Sequence, residues 1–376
     1  MKKPFCLYLK NQARVEYNDY APCCWITKKF NIMSNTQDEF NEYQNWLGQI
    51  DDWVPECNFC QEKESRNVIS PRQIAEKKPS IVGITNVLEI NKVTSLEFQI
   101  DTNCNAACLI CGDYNSTTWQ KYSSSNAVNK SVINKQIDII ADVNATNRYN
   151  NIFKFVSLND INLVVFLGGE PLLSEFHKQT LKDIQKSKPL DQVSVRYVTN
   201  GSQKPDAETI ELWKQLKTLQ ISFSIDGIGK HFNYLRWPLQ WDQVENNIKY
   251  IINLNIPDIK LEISSAINPL NIFYYDQYME WEKTIFPPRK SSNDLRFLQG
   301  FDTNGIINTS SIPPNLMEEI KTKYANDPWL VNRMRPFDKD KFNAFIQYIE
   351  FHDKKRKLNW KETFPEIVKY FTDIIS

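Results

Sequence analysis

From residue 95 onward, short apolar runs alternate along the chain with segments whose apolar residues recur at helical spacing. A short apolar run bounded by polar residues is typical of a strand in a sheet that helices cover. Six strands are predicted on this basis: Leu96–Ile100, Leu163–Leu167, Val193–Val198, Leu219–Ile225, Ile259–Ser264 and Leu295–Leu298. Because strands that alternate with helices form parallel sheets, the pattern predicts a doubly wound sheet or a partial barrel.

Apolar residues that share one helical face mark the helices between these strands. Three such sets occur: Leu173, Phe176, Thr180 and Ile184; then Ile210, Trp213 and Leu216; then Val244, Ile248 and Ile251. Asp206 is the predicted N-cap of the second helix. A further helix is predicted around Val132–Ile140. In a barrel of this type the functional residues would lie at the C-terminal ends of the strands.

The first part of the chain has a different pattern. Residues 1–90 contain only short apolar runs among prolines and tryptophans, together with five cysteines. We predict an irregular segment there, and one with so little core needs a metal or a neighbouring domain to hold it. We therefore expect a cysteine-rich domain at 1–90, a barrel at 91–300 and a helical C-terminal extension at 301–376.

The charge and hydropathy of the chain limit its partners. Its 376 residues include 45 basic and 45 acidic side chains, so the formal net charge is zero. Nucleic acid is an unlikely partner because its binders usually carry a basic excess. No window approaches about 18 consecutive apolar residues, and the N-terminus lacks the apolar stretch of a signal peptide. These features predict a cytoplasmic protein with no membrane contact.

The cysteines carry the strongest chemical signal. All eight lie between Cys6 and Cys111, which is unlike the spread of bridges in a disulfide scaffold. Cys104, Cys108 and Cys111 follow the first predicted strand with three and two residues between them. Three thiolates in a tight loop can bind three corners of an iron–sulfur cubane and leave one iron open. A zinc site would normally have four ligands, and no histidine is near in sequence.

This CxxxCxxC motif after the first strand resembles that of the radical S-adenosylmethionine (SAM) enzymes. The resemblance implies a partial (β/α)6 TIM-like barrel and a four-iron, four-sulfur cluster (4Fe–4S) that binds SAM. Gly168, Gly169 and Glu170, at the end of the second strand, look like the family's GGE motif for the methionyl amino group. Glycines let a ligand approach the backbone, and a carboxylate pairs with an ammonium. Ile110 stands where the family commonly has an aromatic residue near the adenine, and an aliphatic side chain can cover it too.

The ends of the next two strands are also similar to the family's motifs. Thr199 and Asn200 belong to a TNG sequence, and Ser224 and Asp226 belong to an SIDG sequence. In the family, polar side chains at these strand ends reach the cofactor. Ser224 and Arg236 match positions that bind the cofactor's carboxylate in related peptide-modifying enzymes. The resemblance thus implies cofactor contacts for all five residues.

The remaining cysteines form a second group. Cys57 and Cys60 make a CxxC motif, and Cys6, Cys23 and Cys24 precede it. Four of these five thiolates would suffice for a second, auxiliary 4Fe–4S cluster, and the group looks like the SPASM/twitch element of some radical SAM proteins. In most relatives this element follows the barrel, whereas here it would precede it. A structural zinc site is the alternative, since four-thiolate zinc sites are common in irregular segments.

The resemblance implies an enzyme that cleaves SAM reductively and takes a hydrogen atom from a substrate. A peptide or protein side chain is the first expected substrate, and a small metabolite such as a sugar or nucleoside is the alternative. A non-catalytic iron–sulfur or zinc protein is the alternative of another class. An electron donor such as flavodoxin or ferredoxin would be a partner. No catalytic residue is assigned from the sequence.

Overall fold

A computed structural model describes residues 6–16, 19–23, 26, 28–32, 34–49, 53–65, 67, 69–85, 92–99, 101–124, 145–286, 295–297, 306–332 and 334–375. Within these residues the strands form one nine-stranded sheet, in the order β3-β2-β1-β4-β5-β6-β7-β8-β9. The strands are β1 (Gln12–Glu16), β2 (Asp19–Ala21), β3 (Phe30–Asn31), β4 (Ser95–Gln99), β5 (Leu163–Phe166), β6 (Ser194–Thr199), β7 (Thr218–Ser224), β8 (Ile259–Ala266) and β9 (Leu295–Phe297).

The strands from β4 to β9 run parallel and lie side by side in chain order. Since crossover connections are right-handed, successive steps in one direction place the helices on one face of the sheet. That is the arrangement of a barrel, whereas a doubly wound sheet reverses direction and carries helices on both faces. The sheet ends at β3 and β9 in the described residues, so the barrel is partial. The predicted fold class and the six predicted strands are confirmed.

The two faces of the sheet differ in polarity. One face is a continuous apolar row across five strands: Val15, Phe98, Phe166, Tyr197 and Ile221. The other face carries charged side chains that join strands to each other. Arg14 of β1 pairs with Glu97 of β4, and Arg196 of β6 lies 3.2 Å from Glu262 of β8. Alternation of this kind indicates that helices cover only one face, as in a partial barrel.

The α-helices are α1 (Leu7–Asn11), α2 (Gln37–Gln49), α3 (Asn58–Ser65), α4 (Pro71–Lys77), α5 (Thr117–Ser124), α6 (Ala145–Ile152), α7 (Phe176–Ser187), α8 (Ala207–Trp213), α9 (Gly229–Leu235), α10 (Trp241–Ile252), α11 (Tyr275–Ile285), α12 (Pro314–Lys323), α13 (Pro328–Val331), α14 (Lys339–Arg356), α15 (Trp360–Thr363) and α16 (Pro365–Ile375). Asp206 caps α8 as predicted, because its carboxylate accepts the Thr209 N–H at 2.8 Å. Leu173 and Leu216 lie just outside the helices to which the periodicity assigned them.

The N-terminal segment is more regular than we predicted. Its strand β1 pairs in parallel with β4, and β2 and β3 extend the sheet beyond it. Its helices have a small core of their own, formed by Leu7, Ala75, Val82 and Ile84. The prediction of an irregular segment was therefore wrong, because the strands there are completed by contacts with the barrel. The domain boundary near residue 90 stays a prediction.

The C-terminal extension is helical, as predicted, and its longest helix is α14. The buried residues of α14, among them Phe342, Phe345 and Ile349, belong to the main hydrophobic core. Among the described residues, no helix has the length and apolar character needed to cross a bilayer. The predicted helix at Val132–Ile140, like Ile100 and Leu298 at the ends of two predicted strands, lies outside the described residues.

Candidate metal and cofactor site

A loop of cysteines follows the C-terminal end of β4. Cys104 and Cys108 are buried and Cys111 is half-buried. Burial raises the pKa of all three thiols, and the charge of Cys108 adds to the rise for Cys104 and Cys111. Together these effects raise the pKa of Cys111 to about 12. The three sulfur atoms therefore lie within electrostatic reach of one another. In the part of the chain described, no three Cys, His, Asp or Glu side chains are grouped as ligands of a single metal ion.

Side chains from the start of α5 hold the carbonyl groups of this loop. The Thr118 hydroxyl donates to the Cys104 carbonyl at 2.7 Å, and the Ser116 hydroxyl donates to that of Ala106 at 2.5 Å. The Trp119 indole N–H donates to the Cys108 carbonyl at 2.9 Å. A ligand loop that is fixed in this way keeps its thiols in place before anything binds.

Two other parts of the chain complete the support of the cysteine loop. The N–H groups of Ala107 and Leu109 donate to the carbonyls of Trp237 and Leu235, each at 2.7 Å. From α14, the Tyr348 hydroxyl donates to the Leu109 carbonyl at 2.8 Å. The middle of the loop is thus bonded on both sides to segments that are more than 100 residues away in sequence.

The two glycines of the GGE motif pack against the same loop. A Cβ atom on Gly169 would stand 2.3 Å from the Asn103 carbonyl oxygen, and Gly168 has a positive φ of 104°. The Glu170 N–H donates to the Asn103 carbonyl at 2.7 Å. The sequence motif suggested that the glycines make room for a ligand. In the structure they let the end of β5 come into contact with the cysteine loop.

Glu170 is a buried carboxylate, and most of its hydrogen-bonding capacity is used by donors of the protein itself. It accepts hydrogen bonds from the Thr199 hydroxyl at 2.7 Å, the Asn200 N–H at 2.7 Å and the Leu172 N–H at 3.2 Å. Burial raises its pKa to about 6, although these hydrogen bonds oppose the rise. A carboxylate has about four acceptor positions, so one stays available for a ligand.

Asn200 connects the end of β6 to the cysteine loop. Its Nδ2 atom donates to Asn105 Oδ1 at 3.1 Å and lies 3.8 Å from Cys104 Sγ. Together with the bond from Thr199 to Glu170, this contact brings the ends of β4, β5 and β6 to one place. The predicted convergence of these motifs is therefore present in the geometry.

The ends of β7 and α9 contribute a buried ion pair. Asp226 Oδ2 lies 2.6 Å from Arg236 Nε, and Asp226 also accepts the Ala266 N–H at 2.8 Å. Arg236 Nη1 donates to Cys108 Sγ at 3.7 Å. Burial lowers the pKa of Arg236, but Asp226 and Cys108 raise it above the ordinary arginine range. The pair therefore places a paired cation beside the second cysteine of the loop.

Ser224 and Ile110 occupy the expected positions in the fold. Ser224 is half-buried at the end of β7, opposite Ser264 of β8 in the parallel register. Ile110 is 6% exposed and belongs to the main hydrophobic core. Their predicted contacts with a cofactor stay predictions.

Two of the N-terminal cysteines, Cys57 and Cys60, lie within electrostatic range of a third, Cys6. The pKa of Cys6 is raised to about 11, chiefly by burial and to a smaller extent by the charges of Cys60 and Cys57. Cys6 directly precedes α1, which leads into β1, while Cys57 and Cys60 lie at the start of α3. Cys23 lines a cavity whose other walls include Arg14, Asp19 and Lys29. Cys24 lies outside the described residues.

The sequence motifs missed the residues that support the cysteine loop from a distance. Ser116 and Trp119 follow the motif closely, but nothing in their spacing indicates that they bond to its carbonyls. Tyr348 and Arg356 lie in α14, and Arg356 Nη2 donates to the Ala107 carbonyl at 2.8 Å. A stretch of lysines and arginines at a helix end usually faces solvent, so no feature of the sequence indicates this contact.

No family model matches the chain, and no curated protein matches it closely in sequence. Among solved structures, the chain is similar to SuiB from Streptococcus suis bound to S-adenosylmethionine, with a TM-score of 0.38, 11% identity and coverage of 83% of this chain and 61% of that one. It is also similar to anSMEcpe with bound AdoMet, with a TM-score of 0.41, 15% identity and coverage of 65% of this chain and 64% of that one. The match to SuiB bound to precursor peptide SuiA has a TM-score of 0.35 and 11% identity, and covers 98% of this chain and 75% of that one. The chain therefore spans less than two thirds of the length of the SAM-bound SuiB chain and of the anSMEcpe chain.

The fold and the site agree with the arrangement of strand ends that the sequence motifs predicted. A three-cysteine loop, a GGE motif, a TNG motif and an SIDG motif end successive strands of a partial barrel and meet at one edge of it. This is the arrangement that the resemblance of the sequence motifs implied.

Proposed function

We propose that the chain is a radical SAM enzyme whose cluster is held by Cys104, Cys108 and Cys111. The observation that carries the proposal is the bonding of the GGE segment to the cysteine loop, through the Glu170 N–H and the Asn103 carbonyl at 2.7 Å. This contact fixes a carboxylate beside three thiols on a rigid loop. A cluster with one open iron and a ligand with an ammonium group would need these two features together.

The residues present fit such a group. Once reduced by an external donor, a bound cluster would supply the one electron needed to cleave the sulfonium of SAM into methionine and a 5′-deoxyadenosyl radical, and this radical would take hydrogen from the substrate. The chain's own residues would orient the bound SAM and exclude water from it. Glu170 keeps one acceptor position for the amino group, and Arg236 keeps a cation beside Cys108. Both side chains are more than nine-tenths buried, so water is largely displaced around them.

The proposal is tested by anaerobic reconstitution of the full chain with iron and sulfide. The reconstituted protein is reduced with dithionite in the presence of SAM, and 5′-deoxyadenosine is measured by chromatography and mass spectrometry. We expect 5′-deoxyadenosine to form, with methionine in equal amount. A protein that holds iron but forms no 5′-deoxyadenosine would be a non-catalytic iron–sulfur protein, and the proposal would be wrong.

Replacement of Glu170 by glutamine is expected to weaken SAM binding by about tenfold or more. The amide nitrogen would face one of the three donors that the carboxylate now accepts, and a hydrogen bond to a charged group is worth about 1.5–3 kcal/mol. Equilibrium dialysis of the reconstituted protein with labelled SAM measures the change. Glu175→Gln is the matched control, because Glu175 is exposed and lies in the same segment. Equal SAM affinity in the wild type and Glu170→Gln would contradict the role of this carboxylate.

We further propose that Cys6, Cys57 and Cys60, with one more ligand, hold an auxiliary 4Fe–4S cluster. The electrostatic effect of Cys57 and Cys60 on Cys6 and the CxxC spacing implied by the SPASM/twitch resemblance support this proposal. A zinc ion is the competing occupant. Metal analysis distinguishes the two occupants, because a zinc site would contain zinc and the chain would hold about four fewer irons.

The double replacement of Cys57 and Cys60 by alanine is expected to remove about four irons per chain and to leave formation of 5′-deoxyadenosine in place. Iron and sulfide analysis and the cleavage assay measure the two effects separately. Reduction of the reconstituted wild type by flavodoxin or ferredoxin tests the proposed electron donor in the same assay. Unchanged iron in the double variant would refute the ligand assignment.

A peptide or protein side chain is the substrate class that we propose, on the strength of the SPASM/twitch-like cysteine group. Incubation of the active enzyme with candidate peptides in deuterated form tests this, because hydrogen abstraction transfers deuterium into 5′-deoxyadenosine. Transfer from a sugar or nucleoside, and from no peptide, would overturn the proposed class in favour of a small metabolite.

A further inference from the structure

A second arginine lies against the cysteine loop. Arg356 is the last residue of α14 and is 6% exposed. Its Nη2 atom donates to the Ala107 carbonyl at 2.8 Å, next to Cys108 in the chain. The C-terminal extension thus places a cation at the centre of the loop that carries the three thiols.

Aromatic rings surround this guanidinium. The carbon at its centre lies 5.5 Å from the ring centre of Trp119, 5.3 Å from that of Tyr122 and 5.5 Å from that of Trp237. Such contacts stabilise a cation without neutralising it, because the ring faces carry only partial negative charge. The rings also exclude water, so the charge acts in a medium of low dielectric constant.

The charge of Arg356 is not balanced as that of Arg236 is. Arg236 forms an ion pair with Asp226, whereas no carboxylate within the described residues forms one with Arg356. Its guanidinium interacts with the Tyr122 side chain, and Asp353 lies within electrostatic range of it without forming an ion pair. The carboxylate of Asp353, one turn earlier in α14, accepts the Tyr234 hydroxyl and the Trp360 N–H instead. A buried cation of this kind is costly, which suggests that a negative group belongs near it.

We propose that Arg356 supplies a fixed positive charge that makes the cluster on Cys104, Cys108 and Cys111 easier to reduce. The inference rests on the proposed function. Reduction adds negative charge to the cluster, and a nearby cation stabilises the reduced form more than the oxidised form. Arginine suits this task because it does not lose its proton in proteins. Arg356 acts through the loop and is therefore a positioning residue.

The test is an anaerobic redox titration of the reconstituted full chain, followed by electron paramagnetic resonance, in the absence of SAM. We expect Arg356→Gln to lower the equilibrium constant for one-electron reduction about tenfold, which is a shift of about 59 mV to more negative potential. Arg356→Lys keeps the charge on a shorter side chain, so its potential should lie between those of the wild type and Arg356→Gln. Lys354→Gln removes an exposed charge from the same turn and should leave the potential unchanged.

Tyr348→Phe removes another hydrogen bond to the loop without removing a charge, so it should shift the potential less than Arg356→Gln does. Equal shifts in these two variants, or a wild-type potential in Arg356→Gln, would overturn the inference. If Arg356→Gln fails to retain iron, Arg356→Lys decides, because a buried lysine can lose its proton whereas arginine does not. Its potential should fall below that of the wild type as the pH is raised, and a potential that follows the wild type at every pH would refute the role of the charge. A wild-type protein without any reducible cluster would instead refute the proposed function.

Discussion

Replacement of Cys108 by alanine is expected to abolish the formation of 5′-deoxyadenosine and to remove about four irons per chain. Cys108 is the middle thiol of the loop, and its sulfur accepts the contact from Arg236 at 3.7 Å. With two thiolates left, a cubane would have two irons without a protein ligand. Iron and sulfide analysis after anaerobic reconstitution, together with the cleavage assay, measures the loss.

Cys23→Ala is the matched control for this experiment. Cys23 is also a buried cysteine, but it lines a cavity with Arg14 and Asp19, on the N-terminal side of the sheet. We expect this variant to keep the cleavage activity. Cleavage by Cys108→Ala at the wild-type rate would show that the three-cysteine loop does not hold the cluster.

Replacement of Gly169 by alanine is expected to reduce the free energy of unfolding by about 3 kcal/mol and to weaken retention of the cluster. The added Cβ would stand 2.3 Å from the Asn103 carbonyl oxygen and 2.7 Å from the carbonyl carbon of Thr102. Both atoms are backbone, so neither can move aside without displacing the cysteine loop. Urea unfolding of the chain and its iron content measure the two effects.

Gly229→Ala is the control for Gly169→Ala. Gly229 has a positive φ of 54°, and a Cβ there would meet nothing within 4 Å. The substitution should therefore cost only the strain of a left-handed residue, about 1 kcal/mol, and leave iron retention unchanged. Equal losses in both variants would mean that the contact of Gly169 with the loop has no special importance.

The sequence predicted the strands of the barrel and the motifs at their ends, because both signals are local. Each apolar run marks a strand, and each motif stands within a few residues of the end of its strand. Since parallel strands end at one edge, the meeting of Cys104, Glu170 and Asn200 could be expected before their contacts were known. The hydrogen bonds that Glu170 accepts could not be predicted, because their donors are Leu172 and residues at the end of the neighbouring strand β6.

Features that depend on distant contacts could not be predicted. The strand β1 has two charged residues among five, and it becomes a sheet strand because Arg14 meets Glu97 of β4. Arg356 belongs to a run of charged residues from Lys354 to Lys357, which by pattern indicates a solvated helix end. Only the placement of α14 against the cysteine loop shows that one member of that run is buried.

The parallel pairing of β1 with β4 sets the distance between the two cysteine groups. Cys6 lies beyond the N-terminal end of β1, and Asn162 Nδ2 bonds to the Gly83 carbonyl at the same end of the sheet. The loop with Cys104 begins beyond the opposite end of β4. The five residues of β4 span about 17 Å, and the two cysteine groups are attached to opposite ends of the paired strands β1 and β4. A substitution in one group can therefore be made without altering the strand end that carries the other.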